Sequence, residues 1–163
     1  MSYSSDVKKE LATIENNPCC DIAQSYGLLL FGRAFSRSEI PILTDHSDVA
    51  AAYAKAVSIL SGTSPDISIS DAGNFSVNVT DRDVISRILT SLGSAEGTLK
   101  RRINFTVLNN DRCSSAFIRG AFLACGTVTD PEKEYHLEFS SSSRALCDDL
   151  IKLFDETDIE PKC

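Results

Sequence analysis

Long apolar runs are missing from this chain, since polar or charged residues interrupt every stretch before it reaches the roughly 18 residues of a membrane-spanning helix. No apolar segment follows a basic amino terminus, which is the pattern of a secretory signal. We therefore expect a cytoplasmic protein that does not associate with membranes.

Histidine is scarce, with two in the chain, and no cysteine pair has the C-x-x-C spacing of a zinc site. Four of the six cysteines lie among apolar residues of predicted helices, where a free thiol behaves as a small hydrophobic group. These four are Cys20, Cys113, Cys125 and Cys147. We therefore expect structural thiols, no metal site and no cofactor.

An excess of basic residues is also missing, because 16 Lys and Arg face 23 Asp and Glu, which makes the net charge −7. Lys and Arg that neutralise phosphates supply most of the non-specific affinity for DNA. The acidic residues are concentrated after residue 145, however, and the first 145 residues hold 14 basic and 17 acidic groups. The composition therefore disfavours DNA binding without excluding it.

Small residues, in contrast, recur at helical spacing in two segments. Ala116, Gly120 and Ala124 are four residues apart in one segment, and Ala23 and Gly27 are four apart in the other. Residues at this spacing share one face of a helix, and small residues there let two helix backbones approach closely. We therefore predict helices at 20–32 and 115–125 that pack against each other at the two glycines.

Both segments read Cys, two residues, Ala, three residues, Gly, with an offset of 93 residues, which indicates an internal duplication. A short helix from Ser4 precedes the first segment. The elements expected after it are a hairpin at 34–35 and 40–43, a helix at 47–60, a hairpin at 67–70 and 75–79, and a helix that a capping box at 80–83 starts and Gly93 ends.

The second half is predicted to contain strands at 127–128 and 135–139 and a helix capped by Ser142. Alternation along the second strand places Tyr135, Leu137 and Phe139 on its inner face. The sequence ends where the second hairpin of this half is expected, so we interpret the second repeat as incomplete. The predicted units are 1–93 for the N-terminal helix and first repeat, 94–111 for a connection, and 112–163 for the second repeat.

This α+β pattern of duplicated α-β-β-α-β-β-α repeats, each opened by a small-residue helix, resembles the fold of the LAGLIDADG homing endonucleases. The stretch RGAFLACGTVTDPEKEYHLEF at 119–139, and Cys19 and Cys20 ahead of the first small-residue helix, resemble the WhiA family of bacterial regulators. This resemblance covers essentially the whole chain. It implies a nucleoid-associated regulator of transcription in sporulation, cell division and chromosome segregation, with a C-terminal helix-turn-helix that this sequence does not contain.

In the endonucleases, the eighth letter of the motif is an acid that binds a divalent metal, and the acids of the two helices meet at the scissile phosphates. Alignment on Gly27 and Gly120 puts Gly32 and Cys125 at this position. Neither residue supplies the carboxylate oxygen that Mg²⁺ prefers, and Asp130, the nearest acid beyond the second motif, is typical of a turn. The resemblance therefore implies no enzyme activity.

Basic residues near the small-residue helices are the best candidates for contacts with DNA phosphates, with ordinary surface charge as the competing interpretation. They are Arg33, Arg37, Lys100, Arg101 and Arg102. In the resembling nucleases, the polar face of the sheet lies on double-stranded DNA, and here that face would carry small polar residues: Ser68, Ser70, Ser76 and Asn78. We expect weak DNA binding by this chain alone. The alternative, favoured by the net charge, is a scaffold that binds other regulatory proteins without touching DNA.

Overall fold

The computed structural model describes residues 2–94 and 101–162. The elements in these ranges are α1 (Tyr3–Ala12), α2 (Pro18–Leu30), β1 (Ile40–Thr44), α3 (Ser47–Ser61), β2 (Ser68–Ile69), β3 (Phe75–Val79), α4 (Arg82–Ser91), a 3₁₀ helix (Phe105–Val107), α5 (Asp111–Cys125), β4 (Gly126–Val128), β5 (Leu137–Phe139) and α6 (Arg144–Asp155). This mixed α+β structure contains every predicted helix. None of the described helices is long and apolar enough to cross a membrane.

Asparagine caps begin both small-residue helices. The Asn17 side chain accepts a hydrogen bond from the backbone N–H of Cys20 at 2.9 Å, and Asn110 accepts one from Cys113 at 3.0 Å. Such caps satisfy backbone donors that have no partner within the helix. Pro18 occupies the first turn of α2, where its missing N–H costs nothing. Both helices therefore begin a few residues earlier than the small-residue spacing alone predicts.

Three antiparallel strands form the first sheet, in the order β1, β3, β2. Ile42 of β1 lies opposite Val77 of β3, and both side chains are buried on the inner face. Pro41, which lacks a backbone donor, lies in the edge strand β1, as predicted. The predicted hairpin between β2 and β3 is present, and Gly73 in its turn has φ of +82°, a conformation that favours glycine.

The predicted first hairpin is wrong, because residues 34–35 form no strand and β1 pairs with β3. The chain turns tightly instead, with the backbone N–H of Ser36 donating to the carbonyl of Glu39 at 3.1 Å. The Ser36 hydroxyl also donates to that carbonyl at 3.0 Å. A polar segment that satisfies its own hydrogen bonds in this way leaves β1 free to pair with a strand from farther along the chain.

The second sheet pairs β4 with β5, with Val128 opposite Leu137. The predicted inward orientation of 135–139 is wrong for two of its three residues, since Tyr135 is 91% exposed and Leu137 is 53% exposed. Phe139 alone reaches the core, where its ring packs against those of Phe122 and Phe154. Alternation identified one face of the strand, but Leu137 stays half exposed beside Val128, and the burial on this face is confined to Phe139.

Helices α2 and α5 form the centre of the molecule. Leu28, Leu29 and Leu30 point in successive directions around α2, yet each is at most 1% exposed, so α2 is surrounded by protein at this end. α3 covers one side of α2, and α6 closes the core with apolar residues at helical spacing. Those residues are Leu146, Leu150, Leu153 and Phe154, as predicted. The cap of α6 is Ser143 rather than Ser142.

Candidate functional site at the paired helices

Helices α2 and α5 touch backbone to backbone at their glycines. A Cβ added at Gly120 would lie 2.1 Å from the carbonyl oxygen of Gln24, and one added at Gly27 would lie 2.2 Å from that of Phe117. Side chains cannot occupy such positions without moving a backbone. Ala23 and Ala116 are buried on the same helices, while Ala124 is partly buried. The small-residue face predicted from the sequence therefore lies in the contact between the helices.

A polar network at the start of α2 joins it to the middle of α5. The Arg119 guanidinium donates to the Asn16 side-chain oxygen at 2.9 Å and to that of Gln24 at 2.8 Å. Asn16 in turn donates its side-chain N–H to Gln24 at 2.9 Å. Arg119 thus holds the two helices together beside the glycine contact.

The opposite ends of the two helices hold the positions that align with the metal-binding acids. Gly32 follows α2, and a Cβ there would lie 3.0 Å from the carbonyl oxygen of Pro41 and 3.4 Å from the Tyr53 ring. The space beside this glycine is therefore already filled by β1 and α3. Cys125, the other aligned position, is the last residue of α5, and its burial raises the pKa of its thiol to about 11. The thiol consequently remains neutral at physiological pH.

Arg101 occupies the space at the end of α2. Its guanidinium donates from Nε to the carbonyl of Leu30 at 3.1 Å and from Nη2 to the carbonyl of Gly32. Both acceptors are carbonyls at or just beyond the C-terminal end of a helix, where a cation is favoured by the helix dipole. Burial lowers the pKa of Arg101, and the neighbouring Cys125 and Tyr53 oppose this shift. Arg101 therefore lies close to both aligned acid positions.

A second cation, Lys8 of α1, lies near the end of α5. Its side chain is buried, with Nζ 5.7 Å from the centroid of the Phe122 ring. Desolvation lowers the pKa of Lys8, while its electrostatic interactions with Cys125 and Asp45 oppose this shift. The end of α5 is thus flanked by Lys8 and Arg101, so the local field disfavours a divalent cation.

Arg102 forms a bidentate pair with Asp149 of α6, at 2.7 and 2.6 Å. Asp149 also accepts the backbone N–H of Ile103 at 3.0 Å, and its pKa is lowered mainly by the hydrogen bond from Arg102. The buried Tyr26 hydroxyl donates to the Arg102 carbonyl at 3.0 Å and accepts from the Asn104 N–H at 2.8 Å. Arg102 therefore anchors the connection between the repeats to α2 and α6.

The structure thus separates the five basic candidates. Arg101 and Arg102 point their guanidinium groups at internal partners. Arg33 is exposed just after α2, and the exposed Arg37 donates to the Ser94 carbonyl at 3.5 Å. Lys100 lies outside the described residues.

The outer face of the first sheet carries the predicted polar residues Ser68, Ser76 and Asn78. Leu43 of β1 lies opposite Ser76 on the same face and is also exposed, so the face is only partly polar. An acid also lies there, because Glu39 accepts a hydrogen bond from Asn78 at 3.5 Å. His136, just before β5, and Glu138 of β5 are exposed, and their side chains lie 3.2 Å apart. The hydrogen bond from His136 lowers the pKa of Glu138. Within residues 2–94 and 101–162, no three His, Cys, Asp or Glu side chains come together as metal ligands.

Sequence reasoning missed the roles of Lys8 and Arg101. Three consecutive basic residues are typical of a solvated patch, and no local pattern indicates that Arg101, the second of them, turns inward. Lys8 lies on the buried side of α1, where its apolar stem packs while its charge faces the Phe122 ring.

Comparison with known proteins places this geometry in a class. Two solved structures share the fold. Full-length DUF199/WhiA from Thermatoga maritima has a TM-score of 0.72 and 16% identity, and the match covers 98% of this chain and 52% of that one. The N-terminal LAGLIDADG domain of DUF199/WhiA has a TM-score of 0.67 and 17% identity, and the match covers 99% of this chain and 81% of that one. The paired glycine helices with their flanking sheets are thus a LAGLIDADG-like domain, the fold class expected from the sequence.

Sequence comparison identifies the family. Residues 114–163 match the WhiA LAGLIDADG-like domain family. Two relatives, each named probable cell division protein WhiA, are 29% identical over 174 residues in Ruminiclostridium cellulolyticum and 30% identical over 182 residues in Alkaliphilus metalliredigens. Each match covers 99% of this chain and 56% of the relative. The chain belongs to the WhiA family and spans about half the length of these curated relatives.

Proposed function

We propose that this chain is the non-catalytic, DNA-binding LAGLIDADG-like domain of a WhiA-type regulator of transcription. The proposed regulator acts at the nucleoid, in the cytoplasm, during cell division, sporulation and chromosome segregation. The relatives' name, probable cell division protein WhiA, supports the cellular context. The observation that supports a lack of catalysis is the position of Arg101. Its guanidinium binds the end of α2 beside Gly32 and Cys125, the positions that align with the metal-binding acids.

A LAGLIDADG nuclease needs a carboxylate at the end of each paired helix, because each carboxylate holds a divalent cation against the DNA phosphate. At the corresponding positions here, Gly32 has no side chain and Cys125 has a neutral, buried thiol. Arg101 and Lys8 add positive charge at the same place. Restoring a carboxylate would require space that Pro41 and Tyr53 already fill beside Gly32.

The experiment for this part is cleavage of supercoiled plasmid with Mg²⁺ or Mn²⁺ added. We expect no nicked or linear product above the metal-only background. Asp130→Ala is the informative variant, since Asp130 is the nearest acid after the second motif. Cleavage that depends on metal and disappears in this variant would show that the protein is a nuclease with a displaced ligand.

DNA binding is supported by Ser68, Ser76 and Asn78 on the outer face of the first sheet, because their short polar side chains permit close approach of a DNA backbone beside the exposed Leu43. Phosphate contacts are expected from Lys100 and from the exposed Arg33, whose backbone N–H donates to the Pro41 carbonyl of β1. They are not expected from Arg101 and Arg102, which have internal partners. With few such contacts, binding should be weak and largely independent of sequence, with Kd in the range of about 10⁻⁴ to 10⁻⁶ M.

A salt titration of duplex binding tests this proposal. Each lost phosphate contact reduces the slope of log K against log salt by about 0.9. We expect such a reduction for Arg33→Ala and Lys100→Ala, and none for Arg144→Ala, a matched control whose exposed guanidinium lies on α6 beside Asp148. Equal slopes for all three variants would remove Arg33 and Lys100 from the DNA surface.

The second candidate function is a protein-binding scaffold without DNA contact. Two observations favour it: Arg101 and Arg102 are engaged internally, and Glu39 adds negative charge to the polar sheet face. A total loss of duplex binding at low salt, with the protein folded, would replace the DNA-binding proposal by this one.

A further inference from the structure

Two cysteines from different repeats meet at the starts of α2 and α5. The Sγ atoms of Cys19 and Cys113 lie 2.7 Å apart. Cys19 is partly exposed, with the side-chain amide of Asn109 3.9 Å from its sulfur, while Cys113 is completely buried. The two residues are 94 positions apart in the chain, so only the pairing of the repeats brings their thiols together.

We propose that Cys19 and Cys113 are a redox modification site, at which a low-molecular-weight disulfide converts the two thiols into an intramolecular disulfide between the repeats. A disulfide requires sulfur atoms about 2.05 Å apart and Cβ atoms about 3.5–4.5 Å apart. Thiols that already touch need only a small side-chain movement to reach this geometry. Both helices can keep their positions, because the contact at Gly27 and Gly120 already holds them together.

The exchange balances in two steps. The Cys19 thiolate attacks one sulfur of the small disulfide, forms a mixed disulfide and releases one small thiol. The Cys113 thiolate then attacks the Cys19 sulfur, forms the intramolecular disulfide and releases the second small thiol. The protein loses two protons and two electrons, and the reagent takes up both as it becomes two small thiols. Exposure assigns the first step to Cys19, since the reagent reaches its sulfur and not that of buried Cys113.

Competing pairings are disfavoured by position. Cys125 ends α5, 12 residues after Cys113, which corresponds to about 18 Å along a helix. Cys20 is buried and follows Cys19 directly in α2, where successive residues point in different directions. Cys147 lies on α6 and is electrostatically coupled to Cys125. Among the described cysteines, Cys19 therefore has Cys113 as its partner.

The reaction rate should depend on pH. The hydrogen bond with Cys113 raises the pKa of the Cys19 thiol, so the thiolate that starts the exchange is scarce at neutral pH. Asp111 and Arg112 open α5 beside this pair, and Asp21 lies on the first turn of α2. Oxidation should accordingly be slow at pH 7 and accelerate as the pH is raised toward 9.

The test uses the complete chain, reduced and then incubated with glutathione disulfide at pH 7 and pH 9. We expect the intact mass to fall by two hydrogen atoms without a lasting glutathione adduct, and a non-reducing peptide map to show Cys19 joined to Cys113. The thermal midpoint should rise by about 10 °C, since closing a loop of this length in the unfolded chain stabilises by several kcal/mol. Dithiothreitol should reverse both changes.

Two variants keep the proposal falsifiable. Cys19→Ser, at a partly exposed position, should fold and lose the cross-link, whereas the matched control Cys147→Ser, also partly exposed, should keep it. A stable glutathione adduct on Cys19 in the unmodified chain would overturn the proposal, because it would show that Cys113 does not attack the mixed disulfide. A disulfide between Cys19 and any other cysteine would overturn it as well.

Discussion

Replacing Gly120 with alanine adds a single methyl group at the tightest point of the α2–α5 contact. Its Cβ would lie 2.1 Å from the carbonyl oxygen of Gln24 and 2.8 Å from the backbone nitrogen of Leu28, whereas real Cβ contacts essentially never fall below 3.0 Å. Both obstacles are backbone atoms of α2, so no rotamer change relieves the clash. The helices must separate by close to 1 Å along the line to Gln24.

The magnitude follows from two opposing effects. Alanine is a better helix former than glycine by about 1 kcal/mol. Overpacking costs about 1–3 kcal/mol and sometimes more. Separating the two helices by 0.5–1 Å also removes roughly a quarter to a half of the dispersion attraction of each contact between them. Because the obstacles are backbone, we place the cost at the upper end. The net expectation for Gly120→Ala is a loss of about 2 kcal/mol, or about 4–8 °C in the thermal midpoint.

Circular dichroism on heating and urea denaturation measure this loss. The control is Ser115→Ala, an exposed position on the same helix, which should change the free energy of unfolding by less than about 0.5 kcal/mol. Gly120→Leu should be worse than Gly120→Ala, because the larger side chain meets the same backbone atoms. A midpoint for Gly120→Ala at or above that of the unmodified protein would refute the close helix contact.

Three further outcomes are expected. Gly27→Ala should destabilise to a similar extent as Gly120→Ala, since its Cβ would lie 2.2 Å from the carbonyl of Phe117; an effect no larger than that of Ser115→Ala would contradict this. Asp149→Asn should lower stability by about 1–3 kcal/mol, while Asp148→Asn, which removes a surface pair, should be nearly neutral in the same urea titrations. The pKa of Asp149 is lowered in the folded state. Its contribution to the free energy of unfolding is therefore fully present above the unfolded pKa of about 3.9 and is lost as the pH falls through the folded pKa. The difference in stability between Asp149→Asn and the unmodified protein should shrink in that acidic range and not at alkaline pH. Arg101→Met should destabilise by about 1–3 kcal/mol, because it leaves the carbonyls of Leu30 and Gly32 without their donors; an unchanged urea midpoint would mean that water replaces the guanidinium.

The position of Arg101 explains how the ends of the paired helices are stabilised in the proposed non-catalytic domain. The paired helices are held by their close contact at Gly27 and Gly120 and by the hydrogen bonds of Arg119, and neither of these involves a metal. The helix ends carry carbonyl groups without helical partners, and a guanidinium satisfies two acceptors at once. Arg101 thus stabilises the end of α2, at which the LAGLIDADG endonucleases have a metal-binding acid.

Local sequence was sufficient for several features of this protein. The four-residue spacing of small residues predicted which faces of α2 and α5 meet, because helix periodicity and the absence of side chains are local properties. The stretch 119–139 identified the family, and the residues at 32 and 125 showed that the acid positions hold no acid. Helices α3 and α6 followed from apolar spacing, since their buried faces recur at a regular period.

Other features were decided by the tertiary structure. Strand β1 pairs with β3, more than 30 residues away, because strand pairing depends on which edge is available and not on sequence proximity. The partners of Arg101, the carbonyls of Leu30 and Gly32, are backbone groups that carry no sequence signal. Cys19 and Cys113 meet only because the two repeats pack through their glycines. Periodicity determines which face of an element is buried, whereas the particular atoms that face each other depend on how distant elements dock.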